Sequence, residues 1–267
     1  MNDDNNQLIL SEPLQSLFTA ELTSDKSPTL RLKTSSSDKL ESMHHSGGAA
    51  TETSYIYIEP LKKTIKACPF EDLKQLNIAI VGLGLGYIEI SLVGLLQKEN
   101  FSNNVHITSF EKESVLIEEF KDFFDKPAKN SIHRKMFQSV CEINNYDGNK
   151  LFELMNAVIK NKHPQFKLDL KTELNNTNIS AQKFHYIAFD AFSQKTDHPL
   201  WKEDFLDDFI NQAAEPDCLF TTYACTGVLK QVLKKHGFRL IPRLGFQGKR
   251  DSTLAVRGAF TEIDYSG

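Results

Sequence analysis

A mostly parallel α/β fold is predicted from three observations. Asn77–Ile90, NIAIVGLGLGYIEI, runs from a short β-branched apolar stretch through the alternating glycines Gly82, Gly84 and Gly86 into an apolar helix starting at Tyr87. That is the strand, turn and helix order by which a parallel sheet makes a nucleotide site. The next apolar stretch, Val105–Phe110, ends in an acid, Glu111. The last two, Phe238–Arg243 and Ser252–Arg257, are separated by a loop with no room for a crossover helix, so they pair antiparallel or lie apart.

Each element follows in order. Residues 1 to 60 read as a β-rich extension: Leu14–Leu22 and Thr29–Leu32 are extended-looking around the turn-rich Thr23–Pro28, Thr34–Lys39 is a serine-rich loop, and Tyr55–Ile58 reads as a strand. The main domain then spans 61 to 267. Pro60–Leu73 should be a helix, Ile78–Val81 the first core strand, and Ser114–Phe124 a helix burying Leu116, Ile117, Phe120, Phe123 and Phe124. Lys126–Asn145 has poor periodicity and receives no assignment. Lys150–Lys160 resumes as a helix before the strand Phe166–Leu170, and the polar Asn175–Ser180 is a loop suited to cover a nucleotide base. Phe184–Phe189 is the fourth core strand and delivers Asp190 to the carboxyl edge, where open α/β sheets bind ligands. Trp201–Ala213 is a helix and Cys218–Tyr223 a strand, carrying Thr222 and Tyr223 to the same edge. Thr226–His236 is a helix closed by Gly237. With the terminal pair, the sheet has seven strands.

Composition excludes several classes. With 267 residues the chain can bury a large core, and no run of about 20 apolar residues suggests a membrane span. The polar, acidic MNDDNNQ start carries no secretory pattern, so a cytoplasmic protein is expected. Cys68, Cys141, Cys218 and Cys225 are scattered as reduced thiols rather than a zinc or disulfide framework, and no metal is expected. Net charge is −4. Against that acidity, Lys230, Lys234, Lys235, Arg239, Arg243, Lys249, Arg250 and Arg257 face the single acid Asp251 between Thr226 and Phe260. This excess reads as a phosphate-facing surface or as a solvated helix face.

Glycine spacing narrows the ligand. A dinucleotide fingerprint would need its third glycine at Tyr87, whereas Gly-x-Gly-x-Gly suits S-adenosylmethionine, with no pyrophosphate to cradle. Glu111 is placed to accept hydrogen bonds from both ribose hydroxyls. The antiparallel end of the sheet favours a class I S-adenosyl-L-methionine-dependent methyltransferase, Rossmann-like, over a dinucleotide fold.

These residues resemble the methyltransferase domain family of tRNA 5-methylaminomethyl-2-thiouridine biosynthesis. The resemblance runs roughly from Thr23 to Arg257. It is carried by Met43-His44 with Gly48-Ala49 and Glu52 before Tyr55-Ile56-Tyr57, by the glycine turn, and by Asp190-Ala191-Phe192-Ser193 with Lys195 and Leu200-Trp201. Thr222-Tyr223 with Gly227, and Gly237-Phe238 with Gly245-Phe246, Gly248, Lys249 and Arg250, complete it. Three positions depart from the pattern: Ile80 stands where an acid is usual, Gln194 where proline is usual, and no Gly-Asp pair occurs near Thr172-Glu173.

The resemblance implies an N-methyltransferase with S-adenosyl-L-methionine as cofactor, converting 5-aminomethyl-uridine to 5-methylaminomethyl-uridine at the wobble position of tRNA. Many members are fused to a flavin-dependent oxidase; this chain, ending at Gly267, resembles the stand-alone form, with a separate oxidase as a possible partner. An aminomethyl group is largely protonated at neutral pH and must lose a proton before its nitrogen can accept a methyl. Asp190 is the first candidate for that role, with Tyr223 as neighbour and Glu52 as the alternative acid. Gly82, Gly84, Gly86, Glu111 and Asp190 are candidates for the cofactor. His44, Phe246, Lys249 and Arg250 are candidates for the substrate, with Phe246 stacking on the base or instead capping the core. Two alternatives stay open: a spermidine-synthase-like aminopropyltransferase or small-amine methyltransferase, and a non-catalytic partner subunit.

Overall fold

The first described elements are a short helix, α1 (Glu12–Leu17), and a hairpin of β1 (Phe18–Leu22) and β2 (Pro28–Leu32). The computed structural model describes residues 8–33, 41–67, 73–127, 131–175, 179, 182–194, 196–248 and 251–266. The hairpin was expected, but Leu14–Leu17 is helical. Ser11 caps it, its hydroxyl accepting the Leu14 N–H, and Pro13 stands in the first turn, a sequence start signal that the apolar spacing obscured.

A larger difference follows. Tyr55–Ile58 is not a strand but the π-helical middle of a helical run from α2 (Ala49–Thr53) through Ser54–Ile58 to α3 (Glu59–Ala67). Ile56, Tyr57 and Ile58 are all buried, so the Tyr/Ile alternation does not separate an inside from an outside face. The hairpin turn also replaces the N-cap that α2 lacks. Ser27 Oγ accepts the Ala49 and Ala50 N–H groups at 3.0 Å each, and Asp25 accepts the Thr51 N–H at 3.0 Å. Asp25 also accepts from Thr23 and Ser27. These hydrogen bonds outweigh the upward push of burial and hold its carboxyl below the usual range.

The sheet comprises β3 (Gln75–Val81), β4 (Asn104–Phe110), β5 (Phe166–Lys171), β6 (Phe184–Phe189), β7 (Ala214–Thr222), β8 (Arg239–Ile241) and β9 (Thr253–Arg257). Their order is β5-β4-β3-β6-β7-β9-β8. Neighbours are parallel from β5 to β7, and β9 is antiparallel to both β7 and β8. This is the predicted mostly parallel seven-stranded sheet, closed by an antiparallel hairpin.

One layer against the sheet contains α4 (Tyr87–Lys98), α5 (Ser114–Asp125), α6 (Ile132–Asn144) and α7 (Gly148–Ile159), packed in a core with Leu14, Phe18 and Leu30 of the hairpin. The other contains α8 (Glu203–Ala213) and α9 (Gly227–Lys235). Helix α6 fills part of the unassigned Lys126–Asn145. Its apolar residues Ile132, Met136, Phe137 and Val140 do follow helical spacing, and Ser131 caps it, accepting the Arg134 N–H at 3.2 Å.

Gly86 shows how tightly this layer is built. It adopts φ +91°, and a Cβ there would stand 2.1 Å from a ring carbon of Phe120. Gly86→Ala is therefore expected to destabilise the fold by about 2 kcal/mol or more, through strain and overpacking together. Urea unfolding measures this; Phe120→Leu in the same chain should recover part of the loss, and an unchanged midpoint in Gly86→Ala would contradict the packing.

Candidate active site

Parallel strands in register end together. Val81 lies level with Phe110 on one side and Phe189 on the other, so Gly82, Glu111 and Asp190 emerge side by side. The ladder runs one step past the strands: the Gly82 N–H donates to Phe110 O at 2.9 Å and the Asp190 N–H to Val81 O at 2.7 Å. Gly82 is required there, because a Cβ would stand 2.5 Å from the Asp190 carbonyl oxygen.

A cavity of about 440 Å³ opens over this edge. Val81, Leu83, Ile88, Phe110, Ala191, Phe192, Leu174 and Leu200 give it apolar walls; Glu41, Glu52, Glu111, Glu173, Asp190 and Asp197 give it acids. Among the described lining residues Lys112 is the one lysine or arginine, and its Nζ stands 3.5 Å from Asp197.

Gly84, at φ +54°, lines the cavity and donates its N–H to Glu111 at 3.0 Å. The other Glu111 oxygen accepts the Glu113 N–H at 3.0 Å. Burial dominates and holds the Glu111 carboxyl above the usual range, against these bonds and the nearby Lys112 charge. Gly86 does not line the cavity. Its missing side chain makes room for Phe120, so the structure gives it a packing role in place of the expected ligand contact.

At the other end, Asp190, Glu52, Glu41 and Asp197 all act on the Tyr223 phenol, which burial, more than these charges, pushes far above its ordinary range. Tyr223 donates to Ala191 O at 2.9 Å. Glu52, 5% exposed, accepts the His45 N–H at 2.7 Å. Tyr57 donates its phenolic proton to Asp190 at 2.5 Å. Glu41 accepts from the Ser193 N–H at 2.9 Å and from the Thr196 hydroxyl, tying the N-terminal segment to the loop after β6. Trp201 anchors the same loop, donating its indole N–H to Phe192 O at 2.7 Å.

His44 lines the cavity, edge-on to Tyr87 with ring centres 4.9 Å apart and hydrogen-bonded to Thr29 at 3.1 Å. Phe246 does not line it. That ring is 8% exposed and packs in the core beside His45 and Tyr55, so it caps the core rather than offering a face for a base. Lys249 and Arg250 lie outside the described residues, as do most of Asn175–Ser180.

Much of the basic excess is used internally. Arg257 donates to Ala214 O, Glu215 O and His236 O; Arg239 donates to Thr261 O; Arg243 donates to Tyr55 O and Ile56 O; and Lys235 pairs with Asp207. Of the two readings of this excess, a phosphate-facing surface draws no support from Arg239, Arg243 and Arg257, which bind backbone carbonyls. Sequence reasoning missed Tyr57, Glu41 and Asp197 as site residues. Only Tyr57 carried a signal, lying in the Tyr-Ile-Tyr stretch, and that was misread as a strand.

The donor set suits a nucleoside bearing a cationic side chain: a buried carboxylate beside bare glycine backbone for a ribose diol, apolar walls for a base, and acids for positive charge. Among the described residues, no cluster of three or more His, Cys, Asp or Glu is arranged for a metal, and no helix is long and apolar enough to cross a membrane.

Comparisons with known proteins agree with this geometry. Residues 149–258 match a family described as S-adenosyl-L-methionine-dependent methyltransferase. The chain resembles MnmC2 from Aquifex aeolicus with a TM-score of 0.60 and 22% identity, covering 89% of this chain and 70% of that one. A spermidine synthase from Thermotoga maritima superposes at a TM-score of 0.45 with 12% identity over 93% of this chain and 76% of that one, too loosely to bear on function. A 67-residue stretch is 34% identical to the tRNA 5-methylaminomethyl-2-thiouridine biosynthesis bifunctional protein MnmC of Hahella chejuensis; it spans 25% of this chain and only 10% of that protein. The chain is thus an enzyme of the Rossmann-like methyltransferase class, with S-adenosyl-L-methionine as cofactor. Within that class it is similar to the methyltransferase part of MnmC proteins, in fold over most of the chain and in sequence over a short stretch.

Behind the glycine turn lies Glu89, in the first turn of α4 and fully buried. The Ser109 hydroxyl donates to its Oε1 at 2.6 Å, while Oε2 has no hydrogen-bond partner. Burial, with a smaller push from Glu111, raises its pKa from 4.5 to about 8. A carboxyl with a raised folded pKa binds a proton more tightly when folded, so stability falls as pH climbs from the unfolded value through the folded one. Stability should therefore decline between about pH 5 and 8, with a slope of up to about 1.4 kcal/mol per pH unit from this group. Urea midpoints across that range should fall less steeply in Glu89→Gln; parallel curves would show that Glu89 does not carry the effect.

Proposed function

We propose that this enzyme methylates the primary amine of a 5-aminomethyl-uridine at the wobble position of tRNA. The observation that carries the reading is the gathering of Asp190, Glu52, Glu41 and Asp197 around Tyr223 in one cavity at the carboxyl edge of the sheet. Such a wall suits an alkylammonium, the form in which an aminomethyl group arrives at neutral pH. The tRNA part of the reading rests on the likeness to MnmC of Hahella chejuensis and MnmC2 of Aquifex aeolicus.

In this reading Gly82, Gly84 and Glu111 hold the nucleoside part of S-adenosyl-L-methionine, with Glu111 accepting from the ribose hydroxyls. When bound, the cofactor supplies an electrophilic methyl on a positively charged sulfur, whose charge disfavours a second cation beside it. The residues of the chain bind and orient the amine. Asp190 draws in the ammonium, fixes its direction and accepts its proton, leaving a nitrogen lone pair. Glu52 contributes charge from the opposite element, α2. Leu83, Ile88 and Phe192 exclude water, so the minority neutral amine is less disfavoured than in solution.

A second reading, transfer to a small alkylamine or polyamine, draws on the same acids. Few stand near Asp190 along the sequence, but the fold brings Glu41, Glu52 and Asp197 to one cavity with it. The two readings separate in one experiment: labelled S-adenosyl-L-methionine is offered to bulk tRNA from cells lacking the protein, and to small amines. One methyl gained on 5-aminomethyl-uridine nucleosides supports the first; labelling of small amines alone overturns it. Asp190→Asn should lower methyl transfer at least about tenfold while cofactor binding, read by calorimetry, stays measurable. Full activity in that variant would remove Asp190 from the proton transfer.

A further inference from the structure

We infer that Tyr57 is the positioning residue of the site, aiming the Asp190 carboxylate and favouring its ionised form, and that the π-helical turn Ser54–Ile58 exists to bring it there. The inference deepens the proposed role of Asp190 and rests on it for its catalytic meaning; its structural content does not.

The first support is geometric. Glu52 and Tyr57 are five residues apart, which on an uninterrupted α-helix would point them about 140° apart. In the wider turn an N–H reaches the carbonyl five residues back, and residues so spaced approach one face. The Glu59 N–H makes such a bond to Ser54 O. Glu52 accordingly lines the cavity while the Tyr57 phenol reaches Asp190, and both acids act on that phenol.

The second support is that the turn is held from outside. Arg243 donates to Tyr55 O and, at 3.2 Å, to Ile56 O, and its guanidinium lies 4.0 Å from the centre of the Tyr55 ring. Tyr186 of β6 donates to Tyr57 O at 2.8 Å and stands 2.9 Å from Thr221 Oγ1 of β7. Three consecutive carbonyls of the turn thus receive side-chain donors, two of them from an arginine beyond β8 and one from the sheet. A distortion anchored on both sides is fixed in register, unlike a frayed helix.

The third support is the nature of the donor. Tyr57 is 2% exposed, and burial, then the charges of Asp190 and Glu52, keep its phenol protonated throughout the working range. It is a permanent donor, and a donated hydrogen bond favours a carboxylate over the neutral acid. The groups facing this pair are Glu52 from α2, Tyr223 from the end of β7, Tyr186 from β6 and, beyond Tyr186, Arg243.

The test is the titration of the Asp190 carboxyl carbon in protein labelled with [13C]aspartate, assigned by the resonance lost in Asp190→Asn. In Tyr57→Phe the midpoint should rise by about half a pH unit or more, and the acid limb of methyl transfer to tRNA should move up with it. Should that variant fail to fold, 3,5-difluorotyrosine at position 57, a stronger donor of nearly the same size, should move the midpoint down. A midpoint unchanged in whichever variant folds overturns the inference. If wild-type protein methylates no amine, the proposed function fails, while the carboxyl titration still decides the role of Tyr57.

Discussion

The site depends on one close approach, between the backbone of Gly82 and that of Asp190. Parallel pairing of β3 with β6 brings Val81 level with Phe189, and the next residue of each strand continues the contact because Gly82 carries no side chain. Any larger residue would push the Asp190 carbonyl away. The same shift would displace the Asp190 carboxylate from Tyr57 and the glycine turn from Glu111. The Glu111 side and the Asp190 side of the cavity are thus set by one backbone register. This explains why a sheet edge, rather than a flexible loop, carries the charged groups.

Gathering carboxylates has a cost that the fold must offset. Asp190, Glu52, Glu41 and Glu111 are drawn together in a partly enclosed space, where like charges repel and burial disfavours ionisation. Each is given donors. Glu111 has two backbone N–H groups, Glu52 has His45, Glu41 has Ser193 and Thr196, and Asp190 has Tyr57. Glu89, behind them, has one hydroxyl donor and an orphan oxygen, and its pKa rises to about 8. The contrast is between acids supplied with donors at the cavity and one beneath it that keeps an orphan oxygen, where burial pushes the carboxyl up. A cation entering the cavity would relieve the remaining repulsion, which is the property the proposed amine substrate draws on.

How much of this was legible in the sequence depended on the range of the forces involved. The core strands, the glycine turn and the acids Glu111 and Asp190 could be read because apolar runs and glycines act over a few residues. The antiparallel end of the sheet followed from a loop too short for a helix. Tyr55–Ile58 could not be read that way: its conformation is set by Arg243, nearly two hundred positions later, and by Tyr186. Phe246 looked like a stacking platform because sequence cannot say which aromatic faces are already covered. The basic residues near the C-terminus could be read either as a surface for phosphates or as a solvated face, because sequence does not show backbone carbonyls, and Arg239, Arg243 and Arg257 are spent on those.

The N-terminal hairpin then acquires a reason beyond packing. Asp25 and Ser27 satisfy the first N–H groups of α2, an end that Gly48 cannot cap with a side chain. Helix α2 carries Glu52, and its continuation through the π turn carries Tyr57. The hairpin is also fixed to the sheet layer, because Tyr87 at the start of α4 donates its hydroxyl proton to Pro28 O at 2.7 Å. A mechanical path therefore runs from the residue just after the glycine turn, through the hairpin, to the helix that supplies one acid and aims another. The Glu111 side and the Asp190 side of the cavity are braced against each other twice, once through the register of β3 and β6 and once through this outer loop of contacts. Displacing the helix alone would break the caps on α2 and the donors to the π turn together, and that coupling lets a short hairpin hold buried charge in place.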